Sequence, residues 1–356
     1  MRIRGRAQST NQLRGAVCGL GAAALFGMSA PVSKVLLTSV QPVLLAGLLY
    51  LGAAMGLWLL HALKPTRDEA HLQARDRPKL ALIVLAGGLV APILMLLGLG
   101  RVSALSGSLL LNLEAPFTVL LALSVFGEHL GRAGIIASGL IVLGAGLLKL
   151  QPGALGADVL GALLLAAACA CWALDNNLTQ RLSWSDPFAL VRVKTLAAGS
   201  VNTALGLYLS RGSLPDLAHV CGALLLGSLS YGVSVVLDAY ALRWVGAARE
   251  AAYFATAPFA GALIAILWLG EPLPARDGLA MFAMGLGVVF LLRERHAHVH
   301  MHEALEHDHV HVHDEHHNHA HPPGVLVANP HSHLHRHAPL VHDHPHVSDV
   351  HHRHKH

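Results

Sequence analysis

The chain has 356 residues, of which 54% are apolar and only 13% are charged, and its mean hydropathy is +0.52. Soluble domains carry about 25% charged residues, so this composition excludes an ordinary soluble protein, which would expose large apolar patches. The basic residues lie in short segments between apolar runs, which argues against nucleic-acid binding despite an isoelectric point of 9.0. There is no hydrolase triad, phosphate loop or ATP-binding signature, so we expect neither an enzyme nor an ATP-driven pump.

Stretches of about 20 mostly apolar residues predict membrane-spanning helices. Ten such stretches predict an all-α membrane protein, with a short N-terminal segment at 1–14 and no sizeable extramembrane domain before residue 296. The predicted helices lie at 15–37, 43–63, 79–99, 103–126, 130–149, 155–178, 187–209, 218–241, 245–270 and 276–293.

Lys and Arg concentrate in the N-terminal segment and in every second segment after it. Cytoplasmic loops carry such an excess, so the N-terminus is predicted to be cytoplasmic. Ten crossings then return the C-terminus to the same side. We therefore predict a multi-pass protein of a bacterial-type inner (plasma) membrane.

An internal repeat divides the apolar region into residues 15–150 and 151–295. The first half contains SALSGSLLLNLEAPFTVLLALSVFGEHL and the second contains GAAREAAYFATAPFAGALIAILWLGEPL. Five helices per half is an odd number, so the second half is predicted to be inverted, as in many secondary transporters. Both segments carry a proline, an apolar run and Gly-Glu, at Pro116, Gly127 and Glu128 and at Pro258, Gly270 and Glu271.

At these residues the chain resembles the drug/metabolite transporter superfamily, and within it the EamA-like transporters, over roughly residues 14–293. The step Leu113-Glu114 before Pro116 is also similar to the family, although Ala115 separates a Glu and a Pro that are usually adjacent there. The resemblance implies ten helices, cytoplasmic termini and proton- or gradient-coupled movement of small solutes, often outward. Some members of the superfamily form homodimers.

Polar side chains inside the apolar runs are candidate substrate-binding or gating residues, because each ionisable group costs about 2.5–3.5 kcal/mol to insert. Glu114 lies near the centre of the fourth helix and either binds a proton or cation or makes a structural hydrogen bond. Asn112 lies two residues before it, and the others lie towards the predicted cytoplasmic ends of helices 6 to 9, as a polar gate or as interfacial ion pairs. The set is Asn112, Glu114, Asp175, Asn176, Arg192, Lys194, Asp238 and Glu250.

Residues 296–356 hold 23 of the 27 histidines, many in alternating H-x-H form. Because this tail has few large apolar residues, it is predicted to be disordered. Neutral imidazole binds nickel, cobalt, zinc and copper, so we predict a metal-binding tail, although no cofactor is required. The predicted ligands are His298, His300, His302, His307, His309, His311, His313, His316, His317, His319, His321, His331, His333, His335, His337, His342, His344 and His346.

These features leave three functions open. The leading one is a secondary transporter that exports a divalent transition metal, nickel or cobalt, which the tail collects or senses. The second is an exporter of a small organic metabolite, an amino acid or amine, whose tail is only regulatory or a store. The third is a membrane-anchored metal sensor without transport.

Overall fold

A computed structural model of the chain describes residues 2–63, 76–125, 132–148, 157–180, 187–245 and 247–293, together with four short segments of the tail. Helices dominate the described residues. They are α1 Arg2–Gly27, α2 Ser29–Leu36, α3 Pro42–Leu63, α4 Arg77–Ile83, α5 Ala91–Leu99, α6 Ala104–Leu110, α7 Glu114–Ser124, α8 Arg132–Leu147, α9 Ala157–Gln180, α10 Pro187–Leu209, α11 Leu217–Gly227, α12 Ser234–Val245, α13 Ala247–Phe254, α14 Ala257–Leu267 and α15 Ala275–Arg293.

Seven helical stretches within the described residues are long and apolar enough to cross a membrane. Helices α8, α10 and α15 lie at three further predicted positions but are not among these seven, so the count of ten crossings stays a prediction. The seven stretches are Gln12–Leu36, Pro42–Ala62, Arg77–Leu99, Ala104–Ser124, Val159–Thr179, Leu217–Ala241 and Glu250–Leu267. The first helix starts at Arg2, earlier than the predicted residue 15, because its Arg, Ala and Gln residues favour helix.

Large apolar side chains cover the outside of the bundle. Leu217 and Leu267 expose 77% and 75% of their surface, and Tyr208 exposes 80%. The bundle interior is close-packed instead, with glycines where two helix backbones meet. A methyl group on Gly227 would lie 1.9 Å from the carbonyl oxygen of Leu49. Such close approach through small residues is how helices associate in lipid, where the hydrophobic effect gives no drive.

Several helices are interrupted at matching places in the two halves. Residues Val84–Val90 and Ser228–Val233 each form a π-helical turn within an otherwise α-helical stretch. The 3₁₀ turn Leu111–Leu113 separates α6 from α7, and a turn at residues 255–256 separates α13 from α14. Both pairs are related by about the offset between Glu128 and Glu271, so the two halves share their bends as well as their motif.

Four short segments of the tail are described. Their backbone forms strands β1 His296–His302, β2 Leu305–His311, β3 His331–His337 and β4 Leu340–His346. Strand β1 pairs antiparallel with β4, and β2 with β3. Alternating H-x-H is the period of an extended strand, and a ladder needs only backbone hydrogen bonds. The disorder predicted for the tail as a whole stays a prediction.

Candidate functional site

Glu114 lies midway along the fourth candidate span, where its helix is broken. It is the first residue of α7, directly after the 3₁₀ turn. The amide Nδ2 of Asn176 on α9 donates a hydrogen bond of 2.6 Å to Oε1 of Glu114. The interruption therefore places an acidic group inside the bundle with one side-chain partner.

Asp175, the neighbour of Asn176, forms an ion pair inside the bundle. Its Oδ2 lies 2.7 Å from Nζ of Lys194 on α10, and the two side chains are only 3% and 18% exposed. The hydroxyl of Thr179 donates to the other oxygen at 3.1 Å. Both Asp175 oxygens are therefore satisfied, as a charge in a low-dielectric interior requires. We call Glu114, Asp175, Asn176 and Lys194 the polar cluster.

Asn176 is exposed although it lies on the inward side of α9. The lipid-facing residues Leu160 and Leu163 are 47% and 61% exposed. At about 100° per residue, Asn176 lies roughly opposite them and on the same side as the buried Cys169 and Trp172. Exposed surface at an inward position indicates an opening within the bundle beside Glu114.

The π-helical turn at Val84–Val90 forms one wall of this region. The hydroxyl of Tyr50 and the indole Nε1 of Trp172 both donate to the carbonyl oxygen of Gly87, at 2.8 and 3.1 Å. A π turn shifts the backbone hydrogen-bond register, so its carbonyls can accept side-chain donors. Gly87 also touches the ion pair, because a methyl group there would lie 1.9 Å from Oδ2 of Asp175. The glycine thus permits both contacts.

A row of aromatic rings continues from Tyr50 into the second half. The ring centroids of Tyr50 and Tyr231 are 5.8 Å apart, those of Tyr231 and Phe26 are 5.6 Å apart, and those of Phe26 and Phe254 are 5.1 Å apart. These distances are typical of favourable aromatic contacts. The rings come from α3, the second π turn, α1 and α13. This aromatic row therefore links the two halves across the bundle.

Phe254 ends the aromatic row, and a second pair of acidic residues lies near it. Glu250 precedes Phe254 by one helical turn in α13, and its carboxyl group interacts with that of Asp238 on α12. One oxygen of Asp238 is buried without a hydrogen-bond partner. Two carboxylates at one buried site repel each other, so this carboxyl pair is a place where a proton can bind.

The second Gly-Glu motif closes one end of the bundle. Oε1 and Oε2 of Glu271 accept hydrogen bonds of 2.8 and 2.7 Å from the backbone amides of Ala104 and Leu105 at the start of α6. Gly270 makes the turn possible, since its φ of +67° is strained for residues with a side chain. Ser103 caps the same helix, and Asp216 caps α11 at the same end. We call this end, predicted to be outer, the capped end.

The remaining predicted site residues lie elsewhere. Asn112 is buried on the 3₁₀ turn and donates to the carbonyl of Leu109, beside the sulfur of Met284. Arg192 precedes Lys194 by two residues on α10, so the two point in different directions. Pro116 is the third residue of α7 and Pro258 the second of α14, where prolines are tolerated because first-turn amides have no helical partner. Gly127 and Glu128 lie outside the described residues.

The tail strands bring many predicted metal ligands into register. His298 pairs with His344 and His300 with His342 between β1 and β4. His307 pairs with His335 and His309 with His333 between β2 and β3. His313, His316, His317, His319 and His321 lie outside the described residues. Among the residues whose side chains the structure describes, no three or more His, Cys, Asp or Glu side chains are grouped so as to hold a metal ion.

Sequence reasoning missed the aromatic residues of the site. Tyr50, Trp172 and Tyr231 looked like ordinary apolar residues within their helices, and their roles depend on contacts from distant parts of the chain. Two signals were present: a hydroxyl or indole N–H inside an apolar run needs a partner, and Gly87-Gly88 in the middle of a helix indicates a close approach.

Paired halves with broken helices around buried polar groups define a membrane transporter fold. Residues 13–150 and 159–293 each match the EamA-like transporter family, and the chain belongs to this family. The resemblance found in the sequence is thereby confirmed, as is the two-repeat architecture.

Three known proteins are similar to the chain. An uncharacterized transporter of Methanothermobacter thermautotrophicus is 31% identical over 296 residues, which cover 79% of the chain and 86% of that protein. An uncharacterized protein of Pseudomonas aeruginosa is 33% identical over 193 residues, which cover 54% of the chain and 66% of that protein. A protein of known crystal structure has the same fold, with a TM-score of 0.57 at 17% identity, covering 78% of the chain and 96% of its own.

Proposed function

We propose that this protein is a secondary transporter that exports a small organic solute carrying an amine, such as an amine or amino acid, through the polar cluster. The observation that carries the proposal is the exposed, inward-lying Asn176 bonded to Glu114 midway along a span. A solute at this opening meets a carboxylate, an amide and the Asp175–Lys194 ion pair within one helical turn. Such a set suits an ammonium group with a further polar group.

The aromatic row supports an organic solute in particular. Aromatic faces attract ammonium groups, by about 0.5–2 kcal/mol each depending on desolvation. Trp172 and Tyr50 lie against the same carbonyl oxygen beside the polar cluster. The carboxyl pair of Asp238 and Glu250 supplies a group that binds a proton in the second half, so we propose proton-coupled export.

Divalent-metal export, with nickel or cobalt as cargo, is the second candidate. The histidine register of the tail strands favours it, because cross-strand pairs place imidazole-bearing residues side by side. The described part of the bundle favours it less, because no three or more of its His, Cys, Asp or Glu side chains are grouped so as to hold a metal ion. The tail, in either case, is proposed to bind nickel, cobalt, zinc or copper. In the first candidate this binding is regulatory or a store.

One experiment separates the candidates. Proteoliposomes with a pH gradient are tested for movement of radiolabelled amines and amino acids and, separately, of nickel and cobalt ions. The variant Glu114→Gln keeps an oxygen that accepts from Asn176 but removes the charge, so it should abolish amine movement. Asp216→Asn is the matched control, since this cap is far from the cluster in sequence and should leave transport unchanged.

Each outcome decides between the candidates. Amine movement that Glu114→Gln abolishes supports the first candidate. Metal movement without amine movement, lost on removal of residues 296–356, supports the second. Amine movement that Glu114→Gln leaves at the wild-type rate would refute the role of the polar cluster.

A further inference from the structure

We propose that Glu271 is the gating residue of the capped end: its carboxylate fastens the second half to the first, and its release from α6 opens that end. The inference rests on the transporter family and on no particular solute. Glu271 lies in the loop between α14 and α15, and it caps a helix that begins 167 residues earlier in the chain. The bond therefore joins one half of the protein to the other.

The contact between Glu271 and the start of α6 is strong, but it can be broken without unfolding the helix. Glu271 accepts from two successive amides, and charge-assisted hydrogen bonds of this kind are roughly twice as strong as neutral ones. The amide of Ser106 is satisfied locally by the Ser103 hydroxyl. When Glu271 leaves, α6 therefore keeps one cap of its own, and the two freed amides can bind water at the membrane surface. The helix start can survive in both states.

A second contact closes the same end beside Glu271. Nζ of Lys34 on α2 donates to the carbonyl oxygen of Leu99, the last residue of α5, at 2.7 Å. Lys34 also interacts electrostatically with Glu271. The ammonium therefore ties α2 to α5 and attracts the carboxylate that holds α6. Lys34 and Glu271 together therefore connect α2, α5, α6 and the loop after α14.

The layer beneath this group is buried and tightly packed. Ser108 lies one turn below Leu105 and is 1% exposed, and its hydroxyl has no hydrogen-bond partner. Ser33 on α2 is fully buried, and its hydroxyl is likewise without a partner. A methyl group on Gly261 would lie 2.9 Å from the Ser108 oxygen, so α14 packs directly against α6 here. Because Ser108 lies only one helical turn below the start of α6, opening of the capped end would expose it to water.

The test measures that access directly. Ser108→Cys in the full chain is alkylated by a charged, membrane-impermeant maleimide in detergent, and labelling of each cysteine is followed by peptide mass spectrometry. Labelling should be slow in the parent and about fivefold faster with Glu271→Gln, since losing a side-chain cap corresponds to about 1 kcal/mol. Ser33→Cys is a second reporter at the same end, used if Ser108→Cys fails to fold.

Two controls make the result specific. Asp216→Asn changes another carboxylate cap at the same end, but one that bonds only within its own helix start, and it should leave labelling unchanged. Leu190→Cys, 2% exposed near the opposite end, should not be labelled faster with Glu271→Gln. Equal labelling of Ser108→Cys with and without Glu271→Gln overturns the proposal. So does faster labelling at both ends, which means general loosening, or an equal effect of Asp216→Asn.

Discussion

Replacing Gly87 with Ala tests whether the π turn at Val84–Val90 positions the ion pair beside it. A methyl group there would lie 1.9 Å from Oδ2, 2.4 Å from Cγ and 2.7 Å from Cβ of Asp175. No heavy atoms tolerate such distances, so α9 or the side chain must move away and the 2.7 Å contact with Lys194 must lengthen. Overpacking costs about 1–3 kcal/mol, and weakening a buried ion pair adds to that.

The expected result is a fall of the melting temperature by about 3 °C in detergent, the size that about 2 kcal/mol produces in a chain of this length. Gly146→Ala is the matched control, because a methyl group at Gly146 has nothing within 4 Å and improves helix propensity. Its melting temperature should stay equal or rise slightly. If Gly87→Ala melts like Gly146→Ala, the close contact between the π turn and Asp175 does not exist and the argument for the polar cluster fails.

Three further predictions follow from single contacts. Tyr50→Phe and Trp172→Phe should each lower the free energy of unfolding by about 1 kcal/mol, because each removes one donor to the Gly87 carbonyl oxygen. The double variant should lose more than the sum of the two, because only then does this oxygen lose both side-chain donors. Additive shifts of the melting temperature would contradict this. Hydrogen bonds from the amide and ring of His219 hold the pKa of Asp216 below its ordinary value. Its cap therefore stabilises α11 above the unfolded-state pKa and is lost as the pH falls through the lower folded value. The melting-temperature gap between wild type and Asp216→Leu should shrink below about pH 5, whereas a constant gap would show that the cap contributes nothing. The repeat offset of 143 residues relates Glu271 to Glu128, and Ala104 to Ala247 at the start of α13. If the motif has the same role in both halves, Glu128→Gln should lower the melting temperature as much as Glu271→Gln does. No change with Glu128→Gln would show that the motif acts in one half only.

Local sequence patterns predicted the helices and the two-fold repeat of the Gly-Glu motif, because both depend on residues that are neighbours in sequence. Apolar runs and their breaks indicated where helices lie, and the paired Gly-Glu steps indicated the repeat. The sequence did not predict what Glu271 does, because the amides that it caps belong to the other half of the chain. Spacing along a helix shows which residues share a face, but it does not show which face meets which partner.

In the polar cluster, too, some residues could be predicted from the sequence and others could not. Asp175, Asn176 and Lys194 were selected because polar groups inside apolar runs are costly, and the structure brings them together with Glu114. Tyr50 and Trp172 were not selected, because aromatic residues are common in membrane helices for packing alone. The interruptions at Val84–Val90 and Ser228–Val233 could not be predicted either, since a π turn depends on tertiary partners for its carbonyls rather than on a residue signature.

The capping of α6 by Glu271 also sets the order in which the protein can be completed. The amide of Ala104 leaves the ribosome 167 residues before the carboxylate that binds it. At about 5–20 residues per second, this amide waits roughly 10–30 s for its partner. During that time the first half lies in the bilayer with the start of α6 held only by Ser103. The first half thus reaches its final form only after most of the second has been made, and a nascent chain cut short before Glu271 would lack the bond that joins the two halves at this end.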